Sequence, residues 1–418
     1  MSALSAAYRV AGAAAASWLR ARARAGTEEE RARRRERLGL WQGGAPASPW
    51  IWLHAASVGE VAIAAALARA LRPHAGRRSL VVTCQTATGR RRLTEIHDGP
   101  AHYFPLDHEA ALKHVLVRAP ALFVSIETEI WPCLLRMLAA RGVPAAIANA
   151  RISDAAMPRY RWIRPLVAPA LSSLARVCAR DAVSAQRLIE LGARGGAVEI
   201  TGDLKLDILS SQSREACAPL FMCDAKRPLV VAGSTHDGED EIVMQAFRIL
   251  RRQLPGVRLA LAPRHPARAA AVKRAVEATD VHMRMWSQGE GQCSGWDVLV
   301  MDEIGRLPGL YACAAAAFVG GSLAPGPGGH NLLEPVACGA PVVTGPHLTN
   351  VSEQRALLDR SSALRIARDP AELAAAWLDM LTHRGTYQAG VRRAQAAILE
   401  GRGAMARTVE SLAALLNG

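Results

Sequence analysis

Short apolar runs alternate with amphipathic stretches along most of this chain, and that alternation restricts the folds open to it. Each run is about as long as a buried strand, and the stretches between them, such as Val61–Leu71 and Pro132–Arg141, repeat apolar residues at helical spacing. Strands that alternate with helices form a parallel sheet covered by helices on both faces. The predicted strands are Trp50–Leu53, Leu80–Thr83, Leu122–Ile126, Ala145–Ala148, Val177–Ala179, Val198–Thr201, Leu229–Gly233, Arg258–Ala262, Val298–Met301, Ala314–Val319 and Pro341–Thr344.

The chain has 418 residues, which is more than a single hydrophobic core usually supports. The pattern lapses around Ser210–Arg227 into polar, proline-containing sequence and restarts at Leu229, so this segment is a candidate linker. We therefore predict an α/β protein with two doubly wound parallel-sheet domains that face a central cleft. Ligands of such sheets bind beyond the carboxyl ends of the strands.

The net charge of +14 comes almost entirely from arginine, because only four of the 51 basic residues are lysine. One interpretation is a compositional bias, and the other is attraction to an anionic lipid surface or a phosphorylated substrate. Nucleic acid is disfavoured as a partner, since no basic stretch rich in aromatic residues occurs. The eight cysteines include no CxxC pair, which argues for a reducing compartment and against a structural zinc site.

The first residues are mostly small and apolar, but Arg9 interrupts them and eight arginines follow between Arg20 and Arg37. The apolar part is marginal for spanning a bilayer, which needs about 20 strongly apolar residues. Its charges follow the apolar stretch, whereas those of a signal peptide precede it. We expect a helix held on the cytoplasmic leaflet by its arginines; the alternative is a solvated helical arm that packs on the first domain.

A glycine-rich segment follows the predicted strand Ala314–Val319 and precedes a short helix, expected to begin at Gly328–Asn331 and to carry Glu334. Glycines let the backbone approach a ligand closely, and a helix N-terminus attracts phosphate. Glu334 would then accept hydrogen bonds from a ribose. The segment predicts either a nucleotide-sugar site or an ordinary glycine-rich βα turn.

Eight motifs occur in order along nearly the whole chain, and together they resemble those of the Kdo transferase family of lipopolysaccharide biosynthesis. Enzymes of that family move 3-deoxy-D-manno-octulosonate (Kdo) from CMP-Kdo to a lipid A precursor. The motifs are HAASVGE at 54–60, ETEIWP at 127–132, NARIS at 149–153, GDLKLD at 202–207, AGSTHDGED at 232–240, APRHPAR at 262–268, GRLPGLY at 305–311 and VGGSLAPGPGGHNLLEP at 319–335.

The resemblance implies a GT-B glycosyltransferase with two Rossmann-like domains. It further implies inverting transfer without a metal or another cofactor, at the cytoplasmic face of the inner membrane, with CMP-Kdo, a lipid A precursor and the anionic membrane leaflet as partners. The expected parts are a membrane-associated basic arm at 1–45, an acceptor-binding domain at 46–208, a linker at 209–227, a CMP-sugar-binding domain at 228–395 and a C-terminal helix crossing back at 396–418.

The resemblance makes Glu60 the catalytic base that takes the proton of the acceptor hydroxyl, a task for a carboxylate within hydrogen-bond reach. The competing interpretation is that Ser57 and Glu60 form only an S-x-x-E capping box at the start of a helix. Residues expected to contact the acceptor are Ser57, Glu127, Glu129, Asn149, Arg151 and Lys205. Residues expected to bind the donor and its CMP are Ser234, Thr235, His236, Arg264, His265, Gly320, Gly321, Gly329, Asn331 and Glu334.

Several of these roles have alternatives. Arg151 suits an acceptor phosphate, but Glu127 is equally a structural partner for it. An ST-turn explains Ser234 and Thr235 as well as ligand binding does. Lys205 suits either the donor carboxylate or a hinge.

The sequence departs from the family pattern at several positions. Arg306 stands where an acidic residue is expected, Leu332 replaces a proline, and Asp203 replaces a frequent asparagine. After NARIS the chain reads DAAM, at 154–157, where further polar or charged residues are usual. Two other functions stay open. One is a different GT-B sugar transferase or a nucleotide-sugar epimerase. The other is a basic membrane- or nucleic-acid-binding protein without catalysis, although such a protein does not need Gly, His, Glu and Arg gathered at strand ends.

Overall fold

The computed structural model describes residues 3–44, 46, 49–209, 227–277, 279–288 and 295–417. These residues form two compact units, one within Met1–Ile208 and Gly401–Gly418 and the other within Leu209–Glu400. The predicted linker 209–227 lies outside the described residues except at its two ends. Along the sequence, the second unit is therefore inserted between two parts of the first.

The first unit is built on seven parallel strands. They are β1 (Trp50–Ala55), β2 (Ser79–Cys84), β3 (Ala101–Tyr103), β4 (Leu122–Ile126), β5 (Ala145–Ala150), β6 (Arg176–Ala179) and β7 (Val198–Ile200). They lie in the order β3-β2-β1-β4-β5-β6-β7. All six residues of β1 are buried, as expected of a central strand with helices on both faces.

Successive side chains of β1 enter two different cores, because neighbouring residues of a strand point to opposite faces. Trp50 and Trp52 pack in one core, and Ile51 and Leu53 pack in the other. The helices described in this unit include Ala3–Ala21, Glu28–Arg37, Val58–Ala75, Ala87–Ile96, Glu109–Val115, Pro132–Ala139, Met157–Trp162, Arg164–Ser172, Ala182–Leu191 and Ala404–Asn417.

The second unit also contains seven parallel strands. They are β8 (Leu229–Thr235), β9 (Arg258–Pro263), β10 (Met283–Met285), β11 (Val298–Val300), β12 (Ala316–Val319), β13 (Val342–Thr344) and β14 (Leu364–Ile366), in the order β10-β11-β9-β8-β12-β13-β14. Its helices are Glu239–Gln253, Ala269–Glu277, Leu307–Cys313, Leu333–Ala337, Ser352–Ser361, Pro370–Thr382 and Arg384–Glu400.

The strand order reverses between β1 and β4 in the first sheet and between β8 and β12 in the second, where β11 also lies out of sequence between β10 and β9. A reversal leaves a crevice at the carboxyl ends of the two strands, and ligands of doubly wound sheets bind there. The loops after β1, β4, β8 and β12 are therefore the places in which the fold favours a site.

The sequence prediction missed three strands, β3, β10 and β14, which are the outermost strands on three of the four sheet edges. Each has only three residues and includes a polar one, such as His102 or Arg284, so it lacks the continuous apolar run of a central strand. The predicted strand Ala314–Val319 begins two residues later, at Ala316. The predicted helix 396–418 is the end of one helix and the whole of another, which separate near Gly403, a residue with φ of 85°.

The N-terminal helix Ala3–Ala21 packs on the rest of the first unit. These contacts agree with the second of the two hypotheses from the sequence, a helical arm that packs on the first domain. The Tyr8 hydroxyl donates a hydrogen bond of 2.8 Å to Oδ2 of the buried Asp107, and Ala16 and Leu19 are buried. The outer face exposes Trp18, at 53% of its full surface. Among the helices described here, none has the length and apolar character needed to cross a membrane.

Candidate active site

Glu60 lies in the first turn of the helix Val58–Ala75, directly after β1. Its Oε2 accepts a hydrogen bond of 2.8 Å from the Ala56 N–H, and its Oε1 accepts one of 2.7 Å from the Ser57 hydroxyl. Burial raises the pKa of the Glu60 carboxyl, although these two bonds oppose the shift. The Ser57 hydroxyl oxygen in turn accepts a bond of 3.3 Å from the Glu60 N–H, so Ser57 caps the helix. The bonds from Ala56 and Ser57 also fix the orientation of a carboxylate whose pKa is raised.

Glu127 follows β4 and carries two ion pairs. Its Oε1 lies 2.5 Å from Nζ of Lys205, and its Oε2 lies 3.7 Å from Nε of Arg151. Lys205 and Arg151 come from the segments after β7 and β5, so three strand ends meet at this carboxylate. The structure thus contains the ion pair between Glu127 and Arg151 that the sequence offered as an alternative to ligand binding.

Glu129 adds a third carboxylate at the carboxyl ends of the strands of this sheet. Burial, and then the charges of Glu60 and Glu127, raise its pKa to about 7. Its Oε2 lies 3.9 Å from Nε2 of His54, a fully buried residue near the end of β1. Burial lowers the pKa of His54 to about 3, so the imidazole is neutral at physiological pH.

Asn149 has a different place from its predicted neighbours, because it is fully buried at the end of β5. Its Oδ1 accepts a hydrogen bond of 2.9 Å from the Leu204 N–H, which fixes the segment that carries Lys205. Asn149 and Glu127 both have positive φ, 55° and 60°. Such backbone is uncommon outside glycine and is concentrated at functional sites.

In the second unit, Ser234 and Thr235 are the last two residues of β8 and His236 follows them; Ser234 also has positive φ, 56°. Thr235 is fully buried, and its hydroxyl donates a hydrogen bond of 2.6 Å to Asp240. Thr235 therefore supports the loop from within. Ser234 and His236 are only half-buried and keep side-chain surface toward solvent.

Three histidines gather near this loop. Nε2 of His236 lies 2.7 Å from Nε2 of His330, and the ring centre of His265 lies 6.1 Å from that of His236. Burial lowers the pKa of His236, and burial together with the charge of Arg264 lowers that of His330 to about 4. Arg264 and His265 are exposed after β9, so the group combines two exposed side chains with a neutral imidazole pair.

The glycines after β12 are sterically required. A Cβ atom on Gly320 would lie 2.7 Å from the Ser234 carbonyl oxygen, and one on Gly321 would lie 2.8 Å from the His330 ring. Gly321 and Gly329 also have positive φ, 69° and 87°. The glycine-rich loop is thus packed tightly against the loop after β8.

The helix that carries Glu334 is shorter and begins later than predicted, since it runs only over Leu333–Ala337. Asn331 Oδ1 accepts a hydrogen bond of 3.2 Å from the Leu333 N–H, and Gln354 Oε1 accepts one of 2.8 Å from the Leu332 N–H. Asn331 therefore closes an Asx turn directly before the helix. Burial raises the pKa of Glu334, and the charge of Arg264 opposes that shift.

The predicted site residues thus form one group in each unit. The first group is Ser57, Glu60, Glu127, Glu129, Arg151 and Lys205, with Asn149 buried beneath it. The second group surrounds the histidines and the glycine-rich loop. The sequence prediction assigned no role to His54, Glu239 or His330, although all three stand inside quoted motifs. In the part of the chain that the structure describes, no three His, Cys, Asp or Glu side chains are placed to hold a metal ion.

Comparison with known proteins identifies the chain's relatives. The family model described as 3-deoxy-D-manno-octulosonic-acid transferase (kdotransferase) matches residues 32–208. The 3-deoxy-D-manno-octulosonic acid transferase of Haemophilus influenzae is 33% identical over 384 residues, which cover 90% of each chain. The chain belongs to the Kdo transferase family.

The enzyme of the same name from Bordetella pertussis is 33% identical over 382 residues, 88% of each chain. Among solved structures, a UDP-GlcNAc 2-epimerase from Neisseria meningitidis covers 84% of this chain and 98% of its own, with a TM-score of 0.55 at 11% identity. That likeness concerns the fold alone. The chain is a glycosyltransferase by its family membership, and its two sheets have the α/β GT-B fold predicted from the sequence.

Proposed function

We propose that this Kdo transferase moves Kdo from CMP-Kdo to a lipid A precursor, lipid IVA, with inversion at the anomeric carbon. Membership of the family supports Kdo transfer in lipopolysaccharide biosynthesis. The observation that carries the mechanism is the carboxylate of Glu60, held in place at the reversal point of the first sheet with its pKa raised.

Glu60 acts as the general base. Its carboxylate takes the proton of an acceptor hydroxyl while that oxygen attacks the anomeric carbon of Kdo. The bond from this carbon to the phosphate oxygen of CMP breaks, and its electron pair leaves with CMP. A raised pKa lies closer to neutral pH, at which a general base takes up the proton more effectively. Because each carboxylate oxygen has two acceptor sites, the bonds from Ala56 and Ser57 leave capacity for the substrate.

The remaining polar groups of the first unit serve the acceptor. Arg151 and Lys205 bring positive charge around Glu127 and suit an acceptor phosphate, while Glu127 and Glu129 suit sugar hydroxyls. Glu129, with its pKa raised to about 7, is partly protonated near neutrality and then donates as well as accepts hydrogen bonds.

The second unit serves the donor. Arg264 and His265, exposed after β9, stabilise the negative charge that grows on the leaving phosphate. Ser234 and His236 suit the donor carboxylate, and Glu334 suits the ribose. The donor carries one phosphate, so these side chains compensate its charge without a metal ion.

Purified protein incubated with labelled CMP-Kdo and lipid IVA tests this function. We expect label in the lipid product and one CMP released per sugar transferred, and the same rate in excess EDTA. Loss of activity in EDTA that Mg²⁺ or Mn²⁺ restores would contradict the metal-independent mechanism. Conversion of a soluble nucleotide sugar to its epimer, without transfer, would support the epimerase alternative. Binding to anionic vesicles with neither reaction would support a protein without catalysis.

We further propose that the enzyme works at the cytoplasmic face of the inner membrane. The support is the N-terminal helix Ala3–Ala21, which exposes Trp18 and Arg20 and is followed by the exposed Arg22. The guanidinium of Arg22 lies 5.2 Å from the centre of the Trp18 ring. An aromatic ring flanked by cations suits the interface of an anionic leaflet.

A further inference from the structure

Two loops of the second unit meet on the carboxylate of Glu239, a residue with only 3% of its surface exposed. Oε2 accepts hydrogen bonds from the N–H groups of His236, at 2.9 Å, and Gly321, at 2.7 Å. Oε1 accepts bonds of 2.9 Å from the N–H groups of Ser322 and Leu323. All four donors are backbone groups, and three of them are consecutive in the loop after β12.

This is the environment that a protein usually offers to a bound anion. Successive backbone N–H groups at the end of a strand form a concave cradle, and phosphate is a common occupant of such cradles. Here the occupant is a side chain of the protein itself. Each carboxylate oxygen can accept two hydrogen bonds, and each oxygen of Glu239 accepts two. The N–H groups of Gly321, Ser322 and Leu323 are therefore already committed.

The same contacts fix the loop against the candidate donor residues. A Cβ atom on Gly320 would lie 2.6 Å from Oε2 of Glu239, so only glycine lets the strand end approach the carboxylate this closely. A Cβ atom on Gly321 would lie 2.8 Å from the ring of His330, and that ring is stacked on the ring of His236. Displacing Glu239 would therefore disturb Ser234, His236 and His330 together.

We propose that Glu239 is a positioning residue for the sugar-nucleotide donor: its carboxylate takes the place of an anion in the N–H cradle after β12. The donor phosphate then binds to side chains, chiefly Arg264 and the neighbouring histidines, and not to the backbone of the glycine-rich loop. This inference rests on the proposed function, because it requires that the donor binds to the second unit.

A simpler role for Glu239 is that of an acidic residue in the first turn of a helix, where negative charge is favourable. The first turn of Glu239–Gln253 also contains Glu241, which is exposed. The two glutamates are equivalent with respect to the helix dipole, but only Glu239 receives the four N–H bonds. Glu241 is thus a matched control.

The first test compares Glu239→Gln with Glu241→Gln, at a temperature at which circular dichroism shows both to be folded. In Glu239→Gln an amide NH₂ faces two N–H donors, so the cradle cannot close. We expect CMP affinity to fall at least tenfold and the KM for CMP-Kdo to rise, with the KM for lipid IVA unchanged. Glu241→Gln should match the wild type. Wild-type CMP affinity in folded Glu239→Gln overturns the proposal.

Chemical rescue adds a readout that a general packing role would not produce. Glu239→Ala leaves a hole lined by four N–H donors, and formate has the size and charge to fill it. We expect millimolar formate, but not chloride, to restore CMP affinity in a saturable way. A folded Glu239→Ala variant whose CMP affinity formate does not improve contradicts the assignment.

A crystal structure of the wild-type protein with CMP decides the question even if both variants fail to fold. We expect Glu239 to keep its four bonds while the phosphate contacts Arg264 and the histidines. A phosphate bound by the Gly321 or Ser322 N–H overturns the inference and leaves the proposed function intact. Failure of the wild-type protein to bind CMP at all would instead contradict the proposed function.

Discussion

Nζ of Lys205 lies 2.5 Å from Oε1 of Glu127, which joins the segment after β7 to the end of β4. Glu127 also pairs with Arg151 after β5, so its charge is compensated from two sides. Glu60 and Glu129 have no such ion pair with Lys or Arg among the described residues, and the pKa of each is raised. One ion-paired carboxylate thus stands beside two carboxyl groups whose pKa is raised, chiefly by burial.

Glu60→Gln should abolish transfer while leaving CMP affinity within a few-fold of wild type. The amide oxygen still accepts from the Ala56 N–H, and the amide NH₂ still reaches the Ser57 hydroxyl, so the cap survives and only the base is lost. Loss of a general base typically costs about 10²–10⁴-fold in rate. Single-turnover kinetics with labelled CMP-Kdo measure the effect. A variant that keeps more than about a tenth of the rate would reduce Glu60 to a capping residue.

The pH dependence of kcat/KM should move in opposite directions when the two neighbours of Glu60 are changed. Transfer requires ionised Glu60, so activity rises with pH through its pKa. Glu127 raises that pKa and Lys205 lowers it. Glu127→Gln should therefore shift the acid limb to lower pH, and Lys205→Met should shift it to higher pH. If the limb stays in place in both variants, it belongs to a group other than Glu60.

Arg264→Ala should weaken CMP binding by about 1.5–3 kcal/mol, the usual range for a charge-assisted hydrogen bond. That corresponds to roughly 10- to 150-fold in Kd, which isothermal calorimetry resolves. Arg248→Ala serves as the control, because Arg248 is an exposed arginine on a helix of the same unit. Equal CMP affinity of the Arg264 variant and the wild type would move the phosphate site elsewhere.

Removing charge from the N-terminal arm should weaken binding to anionic vesicles. Arginines near such a surface contribute about 1 kcal/mol each. Replacing Arg20, Arg22 and Arg24 together by Gln should therefore lower vesicle partition by about 100-fold in low salt. The matched control removes three exposed arginines of the second unit, Arg248, Arg252 and Arg360.

High salt should also release much of the wild-type protein from vesicles, since exposed charges are screened over about 10 Å at 0.1 M. An equal loss of vesicle binding in both triple variants would indicate attraction by net charge alone. Retention after both salt and carbonate washes would indicate deeper insertion of the helix than we propose.

The central strands were predictable from the sequence because a strand covered on both faces is a continuous apolar run, as Trp50–Ala55 illustrates. The edge strand Leu364–Ile366 was not predictable in this way. It pairs with one neighbouring strand only, and its middle residue, Arg365, is exposed, so it has no continuous apolar run. Other strand bounds shifted by one or two residues. The strand β8 continues through Ser234 and Thr235, beyond its apolar run, and β12 starts two residues after its apolar run begins.

Polar residues that follow the strands were also predictable, and the structure brings Glu60, Glu127 and Lys205 together at the carboxyl ends of the first sheet's strands. Glu239 was not recognisable as a cradle residue, because its partner Gly321 is 82 residues away and an acid in a first helical turn has an ordinary explanation. His54 was hidden for another reason. It stands within an apolar strand, and the pattern of the strand does not show that its ring nitrogen faces Glu129.

The helix Ala404–Asn417 completes a core that begins some 350 residues earlier, against Ile63 and Leu67. On the ribosome, roughly 190 residues of the second unit emerge before this helix, which takes about 10–40 s at about 5–20 residues per second. Throughout that interval the apolar face of the helix Val58–Ala75 lacks its final cover. We therefore expect the nascent first unit to present this apolar surface to chaperones until the helix Ala404–Asn417 has been synthesised and covers it.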